Sequence, residues 1–260
     1  MPFTPSHAVV ALPFVRTPLV PGAIAIGAMT PDLPLFVRRF GPDYAFTHST
    51  VNIAWTTLIA AALLLLWRLV LRPAAVELAP ASVAGRLPAE WRRRGMVALR
   101  ETFAPGERFG TLLVVLSLML GVLSHIAWDG FTHEGRWGVD LLPVLDERWG
   151  PLPGYKWLQY ASGVGGLLVI GVFALRWLRR RPAATAVRRT PGWVRIVWWL
   201  SLPATLFVAG LLGIALLGPF GADFTLPHLI YRVLVPATAF WGAATLLLCL
   251  LLPFWARSAD

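Results

Sequence analysis

Ser124-His125-Ile126-Ala127-Trp128-Asp129-Gly130-Phe131-Thr132-His133 closes a long apolar run that opens at Thr111. On an α-helix, His125 and Asp129 are four residues apart and lie one turn from each other on a single face. If the helix continues past Gly130, His133 joins that face a turn later. Imidazoles and carboxylates at the end of a membrane-length segment are expensive to desolvate, and where they occur they mark function by default. The fold therefore turns on whether this run crosses a bilayer, and the function on what the rest of the chain brings to its polar end.

Composition answers the first point. The chain has 260 residues, 57% of them apolar and only 14% charged, against about 25% charged residues in a soluble domain. Several uninterrupted apolar runs of membrane-spanning length make it an all-α polytopic membrane helix bundle, expected to form a single integral membrane domain over residues 1–260. The net charge of +10 comes almost wholly from arginine, Lys156 being the one lysine. These arginines cluster in two loops, where the positive-inside rule accounts for them with membrane lipids as neighbours and no nucleic-acid partner. Cys249 is the single cysteine, so neither a disulfide framework nor a thiolate metal site is expected. The N-terminus lacks the basic start, unbroken apolar core and cleavage site of a signal peptide.

From the decapeptide outward, the chain reads as five spanning helices plus an N-terminal re-entrant helical hairpin. Met1 to Asp32 is apolar but interrupted by Pro13, Pro18, Pro21 and Pro31, which rules out one straight span. Two short helices, over residues 6–15 and 22–29, fit a hairpin whose arms of about 15 Å reach half a bilayer. Its two ends, His7 and Asp32, then face the same side. The spans are expected over residues 51–71, 111–129, 155–178, 197–217 and 234–254. A polar loop over 73–108 holds a surface helix at 88–101, and a short turn with Asp223 and His228 joins the last two spans.

Placing both arginine-rich loops in the cytoplasm sets His48 at the outer start of one span and His125, Asp129 and His133 at the outer end of the next. With the hairpin open to the same side, His7 and Asp32 join them, and Asp43 is a further candidate. Neutral imidazole with carboxylate suits a divalent metal ion, zinc first and iron or manganese next. Each residue also has a plain structural reading: a hydrogen-bonded His125–Asp129 pair, a capping His48, a helix-start Asp32, a turn at Asp43. The convergence of four of the five histidines with two aspartates on one boundary favours a metal site.

The ordered motifs Ser6-His7, Thr30-Pro31-Asp32-Leu33, Phe46-Thr47-His48-Ser49 and Leu123-Ser124-His125-Ile126-Ala127-Trp128-Asp129 resemble those of the YdjM-like membrane-bound metal-dependent hydrolases. The forms Met-Pro-Phe-Thr-Pro-Ser-His and Trp-Asp-Gly-Phe-Thr-His are closer to an uncharacterised bacterial integral-membrane family (domain of unknown function 4184). The resemblance covers residues 1–165; 166–260 hold C-terminal spans without a recognised motif. Two departures stand out: Pro34 replaces a second aspartate of the YdjM-like pattern, and Asp43 replaces a histidine five residues before His48. The resemblance implies a multi-pass protein of the bacterial cytoplasmic (inner) membrane.

The favoured function is a metal-dependent hydrolase open at the outer membrane boundary. His7, His48, His125 and Asp129 hold the metal, and Asp32 and His133 bind or transfer protons. An amphiphilic substrate, a lipid or lipid-linked molecule, suits that depth, with Tyr155, Gln159 and Tyr160 at its mouth and the 134–156 loop as cover. Two other classes compete. An ion transporter requires polar residues through the membrane depth, and a structural or assembly protein requires a cluster that only ties helices together. No P-loop, Gly-x-Ser-x-Gly, His-Glu-x-x-His or Cys-x-x-Cys is present, which sets aside the chemistry those motifs carry.

Overall fold

The computed structural model describes residues 4–37, 41–103, 109–185, 188–221 and 224–257; Met1 to Phe3 of the N-terminal motif and Asp223 of the last turn lie outside them. Five helices among these residues are long and apolar enough to cross a membrane: Thr50–Leu78, Gly110–Thr132, Gly154–Arg179, Gly192–Leu217 and Leu226–Pro253. The protein is an all-α polytopic membrane protein, with one two-residue β-ladder, Arg148–Trp149 against Leu152–Pro153, among the described residues. Contacts divide it into two compact units. One comprises Met1–Pro34, Arg39–Trp67 and Gly95–Arg181; the other comprises Leu35–Arg38, Arg68–Arg94 and Pro182–Asp260.

The first unit is built on the helix Gly110–Thr132. The N-terminal arm is a 3-10 helix, Thr4–Phe14, and returns through α1 (Pro21–Met29). The next long helix, α2, covers Ile53–Leu66, and Gly110–Thr132 is α3. Along α3 the buried residues Val114, Leu118, Gly121, Val122, His125 and Asp129 recur at three- and four-residue spacing, the pattern of one helical face. Leu112, Val115, Leu116 and Leu123 on its other side are exposed, as lipid-facing residues are. Ala23, Ala60, Leu64, Val114, Leu118 and Val122 form the apolar core that joins α1, α2 and α3.

Two glycines set the closest approach in this unit. A Cβ added to Gly27 of α1 would lie 2.2 Å from the Leu118 carbonyl oxygen, and one on Gly121 would lie 2.2 Å from the Ile24 carbonyl oxygen. Both obstacles are backbone, so neither can swing aside, and only a residue without Cβ lets the two backbones touch. The Val20 N–H at the start of α1 donates to Ser117 Oγ of α3 at 2.9 Å, which holds the register of the crossing. The hairpin expected over the first 32 residues is present as two packed arms. Its first arm differs in being wound as a 3-10 helix, and at about 2.0 Å rise per residue it reaches further than an α-helical arm would.

The helix Gly154–Arg179 is α4, and the 3-10 arm packs on it at Gly166, where an added Cβ would meet the Ser6 carbonyl oxygen at 2.9 Å. In the second unit, α5 covers Gly192–Leu217 and α6 covers Val235–Arg257. Ala74, Leu78, Cys249 and Leu252 share an apolar cluster there. The arginine-rich loop between α4 and α5 is tied down by Glu77, whose carboxylate accepts from the N–H groups of Arg189 and Thr190 at 2.9 and 3.2 Å.

Three expected boundaries are corrected. The span expected to stop at Leu71 continues to Leu78, through a π-turn over Trp67–Leu71 and an α-helix over Arg72–Leu78. The last span begins at Leu226 rather than 234 and passes through a π-turn over Ile230–Leu234. Each π-turn ends two residues before a proline, Pro73 or Pro236. A proline has no N–H to give and its ring crowds the preceding turn, and a widened turn relieves both without ending the helix. Third, the surface helix expected over 88–101 is split into a 3-10 helix, Ala89–Arg92, and an α-helix, Gly95–Phe103, at Gly95 with φ of +56°.

The α1–α3 contact yields a test. Gly121→Val or Gly27→Val should destabilise the protein by at least about 2 kcal/mol through overpacking against backbone, read as thermal unfolding in detergent. Gly171→Ala on α4, where nothing lies within 4 Å of the new Cβ, should leave the midpoint unchanged or raised.

Candidate metal centre

Six side chains from four separate segments meet at one end of the first unit. His7 comes from the 3-10 arm and Asp32 from the 3-10 turn Thr30–Leu35 that follows α1. His48 caps the short helix Tyr44–Thr47, His125 and Asp129 come from α3, and His133 is the residue that ends α3. Since α3 runs on through Gly130 to Thr132, His133 does stay near the His125–Asp129 face. All but half-buried His133 are buried. Asp129 is the hub: its Oδ2 lies 3.5 Å from His48 Nε2, His125 Nε2 and His133 Nδ1, and its Oδ1 lies 3.8 Å from His7 Nε2. Asp32 Oδ1 is 3.8 Å from His125 Nε2. The His7 and His125 rings stack with centroids 4.0 Å apart.

Hydrogen bonds fix the protons of two of these rings. His125 Nδ1 lies 2.7 Å from the Ala28 carbonyl oxygen, and His48 Nδ1 lies 2.9 Å from the Tyr44 carbonyl oxygen. A carbonyl can only accept, so Nδ1 carries a proton in both rings, and Nε2 is the nitrogen left to take a proton or a metal ion. The two Nε2 atoms face each other at 3.2 Å. Two converging lone pairs repel unless a proton or a metal ion lies between them. With Asp129 Oδ2 they form a triangle with sides of 3.2, 3.5 and 3.5 Å. A tetrahedral ion with bonds of about 2.0–2.1 Å spaces its ligand atoms about 3.3–3.4 Å apart. His48, His125 and Asp129 could thus hold a metal ion, as could the neighbouring set His7, Asp32 and His125. Because His125 Nε2 belongs to both sets, it can serve one ion at a time.

Burial accounts for the charge states of the flanking groups. It holds the His7 imidazole down at about 3, with neighbouring His125 adding to the effect, and holds His133 down at about 4, so both rings are neutral at neutral pH. Burial likewise pushes the Asp32 carboxyl up, against the opposing pull of His125 and of the Thr4 hydroxyl. His7 Nε2 and Asp129 Oδ1 are buried with no hydrogen-bond partner.

A family comparison bears on this geometry. The model of a family described as Domain of unknown function (DUF4184) matches residues 1–251. The chain belongs to the DUF4184 family. The match extends well past residue 165, so the last two helices are part of the family's domain even though they carry no motif legible by eye. No curated protein matches, and neither does any solved structure.

In this DUF4184 member several contributors escape a sequence reading. The Tyr44 hydroxyl donates to Asp129 Oδ2 at 3.2 Å, and Thr4 Oγ1 donates to Asp32 Oδ2 at 2.7 Å. Gln159, expected at the mouth, is fully buried and meets His133 Nε2 through its amide nitrogen at 2.9 Å. Lys156 Nζ donates to Gln159 Oε1 at 3.1 Å. An ammonium only donates, so the lysine fixes the amide orientation, the amide N–H fixes Nε2 of His133 as acceptor, and Nδ1–H is left facing Asp129. Tyr155 is buried and donates to Glu134, while Tyr160 is exposed. Asp43 stands outside the cluster as an N-cap, accepting from the Phe46 N–H at 2.7 Å. His228 caps the helix Leu226–Leu229 in the second unit.

One signal was visible in the sequence. The two Phe-Thr-His triplets, 46–48 and 131–133, adopt the same local arrangement. Each histidine follows a helix end, its Nδ1 faces the carbonyl four residues back (Tyr44 at 2.9 Å, Asp129 at 3.3 Å), and the preceding threonine hydroxyl lies 3.3 or 3.2 Å from that nitrogen. The triplet is a device for presenting an imidazole from a helix C-terminus. For the Lys156–Gln159–His133 chain, Gln159→Leu should cost about 1–3 kcal/mol by stranding buried polar partners. In ¹⁵N-histidine spectra it should also convert His133 from a single Nδ1–H tautomer to a mixture. An unchanged spectrum would contradict the assignment.

Proposed function

We propose that this protein is a membrane-embedded metal-dependent hydrolase acting on a lipid or lipid-linked substrate. The observation that carries the reading is the pair of converging Nε2 atoms of His48 and His125, with Asp129 Oδ2 spaced from both as the ligands of one ion are. His7 is the fourth ligand, its unpartnered Nε2 facing the unpartnered Oδ1 of Asp129. A zinc ion held by these residues would supply Lewis acidity and the means to ionise water near neutral pH. The carbonyls of Ala28 and Tyr44 and the Tyr44 hydroxyl orient its ligands. Asp32, held by Thr4, and His133, held by Gln159, adjoin the ligand set as the groups that would accept or return a proton.

The resemblance of the His7, Asp32, His48 and His125–Asp129 motifs to the YdjM-like hydrolases supports the reaction class. The positive-inside pattern supports an outer-boundary position in a bacterial inner membrane. Against a purely structural cluster stand the two stranded atoms, each a cost of about 1–3 kcal/mol if no ion satisfies it. Against a transporter stands the grouping of these side chains at one end of α3.

Incubation with phosphatidylethanolamine–phosphatidylglycerol vesicles, followed by mass spectrometry of released fatty acid and headgroup, tests the reading. Turnover should vanish with a chelator, return with zinc, and be absent in His48→Ala. Tyr44→Phe should lose about 10–100-fold. A folded, zinc-loaded protein that releases no product from phospholipid or from a lipid-linked saccharide would remove the hydrolase reading.

A further inference from the structure

A cleft of about 470 Å³ lies beside the candidate centre, between the 3-10 arm and the last two turns of α3. Val9 and Val10 form one wall, and Ala127, Trp128 and Phe131 the other. We infer that this cleft seats one acyl chain of a membrane phospholipid, with the lipid's polar end directed at His7. The direction of the polar end rests on the hydrolase reading above; the seating of the chain does not.

Three observations point to this occupant. First, the cleft is of the size that encloses a small ligand, about 300–1,000 Å³, yet two of its hydroxyls are turned away from such a ligand. Ser124 Oγ donates to the Gly121 carbonyl, and Ser162 Oγ donates to the Gln159 carbonyl while accepting from Trp128 Nε1. Apart from Ser6 and His7, the lining is apolar or has its hydroxyls satisfied by the protein itself, and such a wall recognises hydrocarbon rather than a polar solute.

Second, what surrounds it is a bilayer. The cleft is bounded by α3, and the Trp128–Ser162 bond ties its rim to α4; both are membrane-spanning by length and composition. Leu123, Val164, Leu167 and Leu168 on the same two helices are exposed. A molecule entering from that side comes out of the acyl region, where phospholipid chains are the bulk species.

Third, the cleft is continuous with the metal-ligating set. His7 lines it and also lies 3.8 Å from Asp129 through an Nε2 that has no hydrogen-bond partner. A phospholipid whose chain lies along Val9, Val10 and Trp128 therefore ends beside the atoms that would act on its ester or phosphate. The arm that carries His7 is also one wall of the cleft, so a single element places both the ligand and the substrate.

Photolabelling tests this in the full-length protein, reconstituted in phosphatidylethanolamine–phosphatidylglycerol vesicles with a trace of phosphatidylethanolamine bearing a diazirine in one acyl chain. Adducts should concentrate on Val9, Val10 and Trp128 over the exposed Leu168 and Val172 of α4. Ala127→Trp, and separately Val10→Trp, fill the cleft from opposite walls and should cut that labelling about tenfold, equivalent to about 1.4 kcal/mol, without loss of bound zinc. Equal labelling of cleft and open helix surface would overturn the inference. So would labelling that survives both variants, or that excess free fatty acid displaces and excess phospholipid does not. Cleft labelling in a protein that binds no metal would keep the chain site and remove the hydrolase reading. Zinc-dependent lipid turnover with uniform labelling would do the reverse.

Discussion

The contact between Gly27 and Gly121 is the constraint on which the candidate centre depends. It brings the backbones of α1 and α3 together with no side chain between them. One residue past Gly27, the Ala28 carbonyl meets Nδ1 of His125, one turn past Gly121. That bond decides which nitrogen of His125 is bare and where it points. Farther along the same strand of chain, Asp32 arrives beside His125, and farther along α3, Asp129 does. Separation of the two helices by a single methyl group would move every one of these atoms.

Around that crossing α3 confines its ionisable side chains to one end. α3 is apolar from Leu112 through Leu116 and polar at His125 and Asp129. Most hydrogen-bonding capacity there is consumed locally, by Tyr44, Thr4, Gln159 and backbone carbonyls. What remains unspent is narrow and specific: Nε2 of His7 and Oδ1 of Asp129 have no hydrogen-bond partner, and Nε2 of His48 and of His125 meet only each other and Asp129. Low-dielectric surroundings make such unpaired groups costly, and a cation is the species whose arrival satisfies all of them together. The positioning bonds from carbonyls and from Tyr44 are of the kind that orient ligands around an ion.

Much of this was legible beforehand, for reasons that can be named. Membrane-length apolar runs announce spans by length alone, and the i, i+4 pairing of His125 with Asp129 follows from helical geometry. The hairpin followed from four prolines and from arms too short to cross, and it put His7 and Asp32 on one side. The misreadings concern proline in particular. Pro73 lies just past the expected end of the first span and Pro236 inside the last one, and a π-turn upstream of each carries the helix beyond the expected boundary. Tyr44, Gln159 and Lys156 were not identified as supports because their partners lie far away in sequence and depend on the exact register between segments. Gln159 in particular sits on a helix face whose burial against His133 no periodicity reveals.

The most direct test of the central claim is elemental analysis of protein purified without chelator and resupplied with zinc, beside folded His48→Ala, His125→Ala and Asp129→Ala variants, with Glu77→Ala in the second unit as control. The account predicts near-stoichiometric metal in the wild type and in Glu77→Ala, and its loss in the three site variants. A wild type that stays metal-free after resupply, or variants that retain the wild-type metal content, would contradict it.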